Sequence, residues 1–198
     1  MLAETTTRRQ RRSSTAKPVH KSDVEVESLE AALKRALRGE VRFDVRSRAL
    51  YATDGSNYRQ VPIGVVIPRD AADVEETVAA CHRFGAPLLC RGGGTSLAGQ
   101  CVNVAVVFDY SRYMNALVSI DPKAKLAQVE PGIVLDRLRD AAEVYQLTYA
   151  PDPATHSRCT LGGMIGNNSC GVHGLQGGKP VDTVESMEIV MYDGTRMT

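Results

Sequence analysis

The chain has 198 residues, of which 43% are hydrophobic, and this is enough for one sizeable domain or two small ones with a packed core. Its formal net charge is only +1, and it contains no Trp and three Phe. A balanced charge gives no global attraction to nucleic acid or to an anionic membrane, and few aromatic rings are available for base stacking. No apolar run approaches the ~20 residues that a transmembrane segment needs.

Five cysteines occur, at positions 81, 90, 101, 159 and 170. Their number is odd and no two have C-x-x-C spacing, so the sequence predicts neither a disulfide framework nor a zinc or iron–sulfur site made by this segment alone. Unpaired cysteines are typical of a reducing compartment. We therefore expect a cytoplasmic protein, with a peripheral association with the membrane left open.

The first 22 residues are polar and basic, with four arginines at positions 8, 9, 11 and 12. Twin arginines occur in export signals, but no apolar stretch follows them here. Glu4 and the lack of an amphipathic pattern also weaken a transit peptide as an alternative. We predict a disordered basic tail over residues 1–22.

Helical spacing first appears over residues 23–38, where Val26, Leu29 and Leu33 recur on one face. This pattern predicts an amphipathic helix, and Gly39 is a natural place for it to end. We assign residues 23–49 to an N-terminal helical segment.

From Ile63 onward, strand and helix patterns alternate. "IGVVIP" predicts a short buried strand, and Asp70 is placed to cap a helix that ends at Gly85. "PLLC" and "VAVVFD" predict two further strands, with a glycine-rich loop between them. This β-α-β-loop-β order predicts a small parallel or mixed sheet.

The pattern changes after these strands. "LVSID" and "KLAQVEP" predict a β-hairpin. A helix follows, whose apolar residues recur at helical spacing: Val134, Leu138, Ala141 and Tyr145. Residues 151–178 show little periodicity, and a segment of this length is more than an idle loop in a compact domain. "VESMEIVMYDG" predicts a final strand that ends in a turn at Asp193-Gly194.

The stretch "LCRGGGTSLAGQC", residues 89–101, contains three consecutive glycines. It fails the dinucleotide fingerprint, because Leu97 stands at the third glycine position, and it fails the Walker pattern at Gln100 and Cys101. Consecutive glycines can still turn their N–H groups toward an anion, and the Thr-Ser pair can add hydroxyl donors. Two hypotheses stay open at this point: a phosphate-binding loop without a lysine, or a connection that only needs positive φ.

The second unusual stretch is "APDPATHSRCTLGGMIGNNSCGVHG", residues 150–174. Its polar side chains are small and mostly uncharged, which suits hydrogen bonding to a neutral ligand of many atoms, such as a flavin or a sugar. The pattern does not indicate a metal site or an acid–base pair. His156 and His173 receive no catalytic role, because a lone histidine in a glycine-rich loop is more often exposed or hydrogen-bonded.

Together, these stretches resemble the FAD-binding domain of the vanillyl-alcohol oxidase / p-cresol methylhydroxylase (PCMH) superfamily, from about Leu50 to Thr198. Five pieces carry the resemblance in order: "YATDGSNYRQVPIGVVIPRDAADV", "CRGGGTSLAGQ", "VEPGIVLDRL", "PDPATHSRCTLGGMIGNNSCG" and "GKPVDTVESMEIVMYDG". Each piece alone is weak evidence, whereas five in this order are specific. Within the superfamily, the chain most resembles D-lactate and D-2-hydroxyglutarate dehydrogenase-like FAD-linked oxidoreductases.

The resemblance implies an α+β fold made of two small α/β subdomains, a PCMH-type FAD-binding domain over residues 50–198. In this family the domain continues further, and a separate substrate domain follows it. The resemblance therefore implies an N-terminal fragment whose FAD-binding domain is incomplete at the C-terminus and which is inactive alone. We assign no catalytic residue, since the family's catalytic groups lie mostly in the substrate domain.

The resemblance also implies which residues bind FAD. Residues 91–96 would wrap the pyrophosphate with backbone amides, and residues of the second stretch would line the flavin and its ribityl chain. The predicted FAD-binding set is Arg91, Gly92, Gly93, Gly94, Thr95, Ser96, Gln100, Pro151, Asp152, Thr160, Gly162, Gly163, Asn168, Ser169 and Gly171. Thr95 stands where some members attach FAD to a histidine, so we expect noncovalent FAD.

The implied activity is oxidation of a 2-hydroxy acid, of the D-lactate, glycolate or D-2-hydroxyglutarate type, to a 2-oxo acid with hydride transfer to FAD. Electrons would leave to a quinone, a cytochrome or an iron–sulfur module. "GNNSCGVHG" is similar to the branch often fused to such a module, so an iron–sulfur cluster would belong to a further C-terminal region. Two alternatives stay open: a non-catalytic truncated nucleotide-binding module, and a flavoprotein like the reductase of peptidoglycan-precursor synthesis.

Overall fold

A computed structural model describes residues 24–198, and the basic tail predicted over residues 1–22 lies outside the described residues. The helices are α1 (Val26–Ala36), α2 (Val45–Leu50), α3 (Ala71–Phe84), α4 (Leu135–Glu143), α5 (Leu161–Asn167), α6 (Gly174–Gly177) and α7 (Pro180–Thr183). The strands are β1 (Glu40–Arg42), β2 (Gly64–Ile67), β3 (Leu88–Arg91), β4 (Val106–Asp109), β5 (Leu117–Asp121), β6 (Leu126–Val129), β7 (Ile189–Val190) and β8 (Arg196–Met197).

The centre of the fold is a four-stranded mixed sheet in the order β1-β2-β4-β3. Strands β2, β4 and β3 run parallel, and β1 pairs antiparallel with β2. Every residue of β2 is buried, which is the pattern of a parallel strand covered on both faces. The mixed sheet predicted from the alternating pattern is confirmed.

Helix α3 begins and ends at the residues that its local sequence predicts. The Asp70 carboxylate accepts a hydrogen bond from the backbone N–H of Asp73 and so caps the first turn. The helix ends at Gly85, which adopts a left-handed conformation with φ of +63°. The chain then turns directly into β3, the edge strand whose carboxyl end leads into the glycine-rich loop.

Helix α1 belongs to the same hydrophobic core as the sheet. Leu29 and Leu33 are fully buried and pack in one cluster with Val78, Cys81 and Phe108. The buried carboxylate of Asp73 accepts hydrogen bonds of 2.9 Å from two backbone N–H groups, at positions 38 and 69. Residues 24–49 therefore pack against the sheet and contribute to the same hydrophobic core.

A second, smaller core forms where α4 and α5 pack against the β5–β6 hairpin. Its buried residues are Ile133, Leu135, Leu138, Cys159, Leu161 and Met164. The predicted buried face of α4 is confirmed only at Leu138. The other buried residues of the helix are Leu135 and Ala142, and the predicted Tyr145 is exposed. Val134 is extended rather than helical, because it forms a β-bridge with Thr160.

The C-terminal part contains three short helices and a hairpin. The sequence predicted no helix within residues 151–178, because the glycines of α5 lower the intrinsic helix propensity of that segment. Helix α5 forms nevertheless, and the burial of Leu161 and Met164 stabilises it. Strands β7 and β8 pair antiparallel, and the turn predicted at Asp193-Gly194 connects them, with Gly194 at positive φ. In the part that the structure describes, no helix has the length and hydropathy for crossing a membrane.

We expect Leu33→Ala to lower the free energy of unfolding by about 2–5 kcal/mol, because it opens a cavity in the core shared by α1 and the sheet. Leu50→Ala is the matched control, since Leu50 is 73% exposed and should change the stability by less than about 0.5 kcal/mol. Urea unfolding followed by circular dichroism measures both. Equal stability of the two variants would show that α1 does not pack on the sheet.

Candidate functional site

Two segments far apart in sequence line one cleft. We call residues 92–96 the glycine loop and residues 155–169 the second loop. The cleft has a volume of about 210 Å³. Its lining residues are Gly92, Gly93, Gly94, Thr95, Ser96, Gln100, Cys101, Thr155, Cys159, Thr160, Gly163, Met164, Asn167 and Ser169. The structure thus brings together the two stretches that the sequence singled out.

The first two glycines allow the loops to touch. A Cβ on Gly92 would overlap the Thr160 hydroxyl, and a Cβ on Gly93 would overlap the carbonyl oxygen of Arg158. Of the three consecutive glycines, only Gly94 has positive φ, at +65°. A simple turn therefore explains only Gly94, whereas the other two are required by the close approach of the second loop.

The glycine loop lines the cleft and has backbone donors without partners. Within residues 24–198, no backbone or side-chain acceptor is hydrogen-bonded to the N–H groups of residues 92–96. Consecutive N–H groups without internal partners are available as donors to an anion. None of the residues that line the cleft carries a charged side chain. An anion bound here would be held by dipoles and hydroxyl groups.

Thr160 provides a second indication of a ligand. The residue is 2% exposed, and its Oγ1 has no hydrogen-bond partner among the described residues. An unpaired buried hydroxyl costs about 1–3 kcal/mol, so such groups normally have a partner. The hydroxyl lies against Gly92, beside the free N–H groups. A ligand with acceptor oxygens, such as the pyrophosphate of FAD, fits this set of donors.

The Arg91 side chain lies outside the lining of the cleft. Its Nη1 donates a hydrogen bond of 3.0 Å to the carbonyl oxygen of Cys101, and its guanidinium lies 5.4 Å from the centre of the Tyr51 ring. The Tyr51 hydroxyl donates to Asp109 at 2.5 Å. Burial, together with this bond to a carboxylate, raises the pKa of Tyr51 and keeps it a neutral donor. Arg91 therefore binds the backbone of Cys101 and does not line the cleft.

Other predicted FAD-binding residues do not line the cleft and make contacts elsewhere. Asp152 accepts hydrogen bonds from the backbone N–H and the Nδ1 of His173, and the side-chain bond lowers the pKa of that carboxyl. Asn168 is left-handed and accepts from the N–H of Val181. The remaining three are also positioned by packing or backbone contacts: Pro151 beside Arg139, Gly162 beside Pro131, and Gly171 beside Asp152.

The cleft also contains residues that the sequence analysis did not select. These are Cys101, Thr155, Cys159, Met164 and Asn167. Recognition of α5 as a helix from the sequence would have found Met164 and Asn167. Together with Thr160 and Gly163, they follow the i, i+3, i+4, i+7 spacing of one helix face. Burial raises the pKa of Cys159, so its thiol stays protonated at neutral pH.

Neither histidine of the second stretch lines the cleft. His156 Nδ1 is hydrogen-bonded to the Asp136 carboxylate at 2.8 Å, and His173 Nδ1 is bonded to Asp152. In the part of the chain that the structure describes, no group of three or more His, Cys, Asp or Glu side chains could hold a metal ion. The chemistry of the cleft is that of neutral hydrogen-bond donors.

Comparison with known proteins agrees with this geometry. The FAD binding domain family matches residues 62–198. D-2-hydroxyglutarate dehydrogenase of Pseudomonas putida is 36% identical over 174 residues, which cover 86% of this chain and 17% of that protein. Glycolate oxidase subunit GlcD of Escherichia coli strain K12 is 34% identical over 151 residues, which cover 75% of this chain and 30% of that protein. The chain therefore spans less than a third of these relatives.

A solved structure of alkyldihydroxyacetonephosphate synthase superposes with a TM-score of 0.76 at 21% identity, over 86% of this chain and 37% of that chain. This likeness confirms the predicted α+β fold class. The family match extends over more than half of the chain and includes both loops of the cleft. This chain belongs to the FAD binding domain family, of the PCMH type.

Proposed function

We propose that this chain is the FAD-binding part of an oxidoreductase that oxidises a 2-hydroxy acid to a 2-oxo acid. The observation that carries the cofactor assignment is the meeting of the glycine loop and the Thr160 hydroxyl in one cleft. The substrate class is supported by the names of the relatives, a D-2-hydroxyglutarate dehydrogenase and a glycolate oxidase subunit. The electron acceptor in this proposal is a quinone, a cytochrome or an iron–sulfur module.

The pyrophosphate is the part of FAD that the glycine loop would hold. Free N–H groups of residues 92–96 would donate to the phosphate oxygens, and Thr160 would add a hydroxyl donor. Donors fixed in advance lose little freedom when the ligand binds. The small polar groups at Thr155, Asn167 and Ser169 would donate to the rest of the cofactor along the second loop.

FAD supplies the redox chemistry when bound, since the flavin accepts the hydride. The chain's own residues bind the cofactor and fix its orientation. His156 and His173 are not proposed as bases for the substrate, because neither lines the cleft and the Nδ1 of each is hydrogen-bonded to a carboxylate. The proposed catalytic base therefore lies outside the residues of this cleft.

The proposal also specifies noncovalent binding. The Thr95 side chain has no nitrogen for a flavin bond, and it stands where the family resemblance implies a histidine in members with covalent FAD. Cys159 lines the cleft, but burial raises the pKa of its thiol, and a protonated thiol is a poor nucleophile.

Titration of the purified chain with FAD should give saturable quenching of the flavin fluorescence. After denaturation, the polypeptide should have the mass of the protein alone, because the cofactor is held by hydrogen bonds. An FAD mass retained on the denatured chain would overturn the noncovalent assignment. Absence of any saturable change would overturn the proposal that this chain binds FAD unaided.

Thr160→Val should weaken FAD binding by roughly tenfold to a hundredfold, because a hydrogen bond to a charged group contributes about 1.5–3 kcal/mol. The same change should not lower the free energy of unfolding of the ligand-free chain, since it removes an unpaired buried hydroxyl. Thr160→Ser keeps the hydroxyl and should retain the affinity. Fluorescence titration and thermal melting separate the two effects, and equal affinity in all three proteins would exclude Thr160 as a donor.

Gly93→Ala should lower the free energy of unfolding by about 1–3 kcal/mol and weaken FAD binding, because its Cβ would overlap the Arg158 carbonyl. Gly166→Ala is the matched control. Gly166 lies in α5 of the second loop, and a Cβ there has open space. That variant should be as stable as the parent or more stable, by up to about 1 kcal/mol. Similar melting of both variants would contradict the close contact of the two loops.

A further inference from the structure

The glycine loop has a second neighbour in addition to the second loop. We call residues 53–60 the strap. Thr53 and Arg59 form an antiparallel bridge, and the N–H of Gln60 donates to the carbonyl oxygen of Ala52 at 2.9 Å. The strap is thus a closed turn with its own backbone hydrogen bonds. None of its residues lines the cleft.

The strap binds the backbone of residues 94–101 at two points. The N–H of Gly55 donates to the carbonyl oxygen of Gly94 at 2.9 Å, and the Asp54 carboxylate accepts from the N–H of Cys101 at 3.2 Å. A Cβ on Gly55 would lie 3.1 Å from the carbonyl oxygen of Ser96, so only a glycine fits without displacement. The strap therefore contacts both ends of this segment.

Asp54 is the charged group in this contact. Its Oδ1 accepts from the N–H of Ser56 at 2.9 Å and from the Ser56 hydroxyl at 2.5 Å, while its Oδ2 accepts from Cys101. Burial raises the pKa of this carboxyl, but the hydrogen bonds from Ser56 and Cys101 and the charge of Arg91 outweigh burial and lower it. Asp54 is therefore an anionic acceptor at neutral pH.

Cys101 is held on both sides. Its N–H donates to Asp54, and its carbonyl oxygen accepts from Arg91. With the carbonyl of Gly94 bonded to Gly55, these contacts use backbone groups other than the N–H groups of residues 92–96. The donors that line the cleft are left free. A loop fixed in this way needs little ordering when an anion binds.

We propose that Asp54 is a positioning residue that holds the glycine loop ready for a phosphate-bearing ligand without touching that ligand. The proposal deepens the proposed function, since it rests on the pyrophosphate lying at the glycine loop. Its ligand class is a diphosphate, whether free or part of a dinucleotide. The positive charge of Arg91 offsets the unfavourable effect of a carboxylate near that diphosphate.

Asp54→Asn tests the proposal with nearly unchanged shape. In Asp54, Ser56 binds Oδ1 and Cys101 binds Oδ2. Asparagine keeps an oxygen at only one of these two positions, so its NH₂ group would face the N–H donor at the other. We expect the affinities for FAD and for inorganic pyrophosphate each to fall by about tenfold or more. We also expect the amide hydrogens of Gly55 and Cys101 to exchange at least about tenfold faster in the ligand-free chain.

Asp193→Asn is the matched control. Asp193 also accepts from the backbone N–H two residues later, that of Thr195 at 2.9 Å, but it lies in the turn between β7 and β8. This variant should keep both affinities and the exchange rates of Gly55 and Cys101. Riboflavin, which has no phosphate, is a second control, and Asp54→Asn should leave whatever affinity the chain has for it unchanged.

The outcomes separate the inference from the proposed function. Unchanged exchange and unchanged affinities in Asp54→Asn would overturn the positioning role. Faster exchange throughout β2 and β4 would also overturn it, because Asp54 would then stabilise the whole sheet. If the unmodified chain binds neither FAD nor pyrophosphate, the proposed function fails. In that case, local exchange at Gly55 and Cys101 still decides whether Asp54 holds the loop.

Discussion

The cleft depends on one close contact, between the backbone at Gly92 and Gly93 and the segment from Arg158 to Thr160. No side chain larger than hydrogen fits at either glycine without moving the second loop. The contact places the unpaired Thr160 hydroxyl beside the free N–H groups of the glycine loop. Without this approach, both loops would expose their donors to water separately, and neither would form an anion site of this kind.

Each side of this contact is positioned by a different hydrophobic core. Gly92 follows β3, which pairs with β4 in the sheet. Thr160 is fixed by the second core, where it bridges Val134 and precedes the buried Leu161. Backbone bonds on both sides reinforce this position, from Leu135 to Cys159 and from Leu161 to Ile133. The geometry of the cleft therefore depends on elements of both cores.

Charged groups support the cleft from outside its lining. Asp54 and Arg91 bind the backbone of Cys101. Asp109 accepts a hydrogen bond from the hydroxyl of Tyr51, and the Arg91 guanidinium lies over the ring of that tyrosine. The lining itself is neutral. This arrangement fits a cofactor that binds through many hydrogen bonds, because charges fix the receptor while dipoles contact the ligand. The proposed phosphate site would accordingly need no lysine.

The sequence by itself determined the local features: the cap at Asp70, the stop at Gly85, the buried strands, and the two glycine-rich stretches of the family. These depend on neighbouring residues, so periodicity and turn chemistry predict them. Only the tertiary structure decided that Asn167 lines the cleft while Asn168 binds Val181. It also decided that Arg91 binds the carbonyl oxygen of Cys101 and does not line the cleft. Those positions depend on contacts between residues ten or more positions apart in the sequence, which no local pattern encodes.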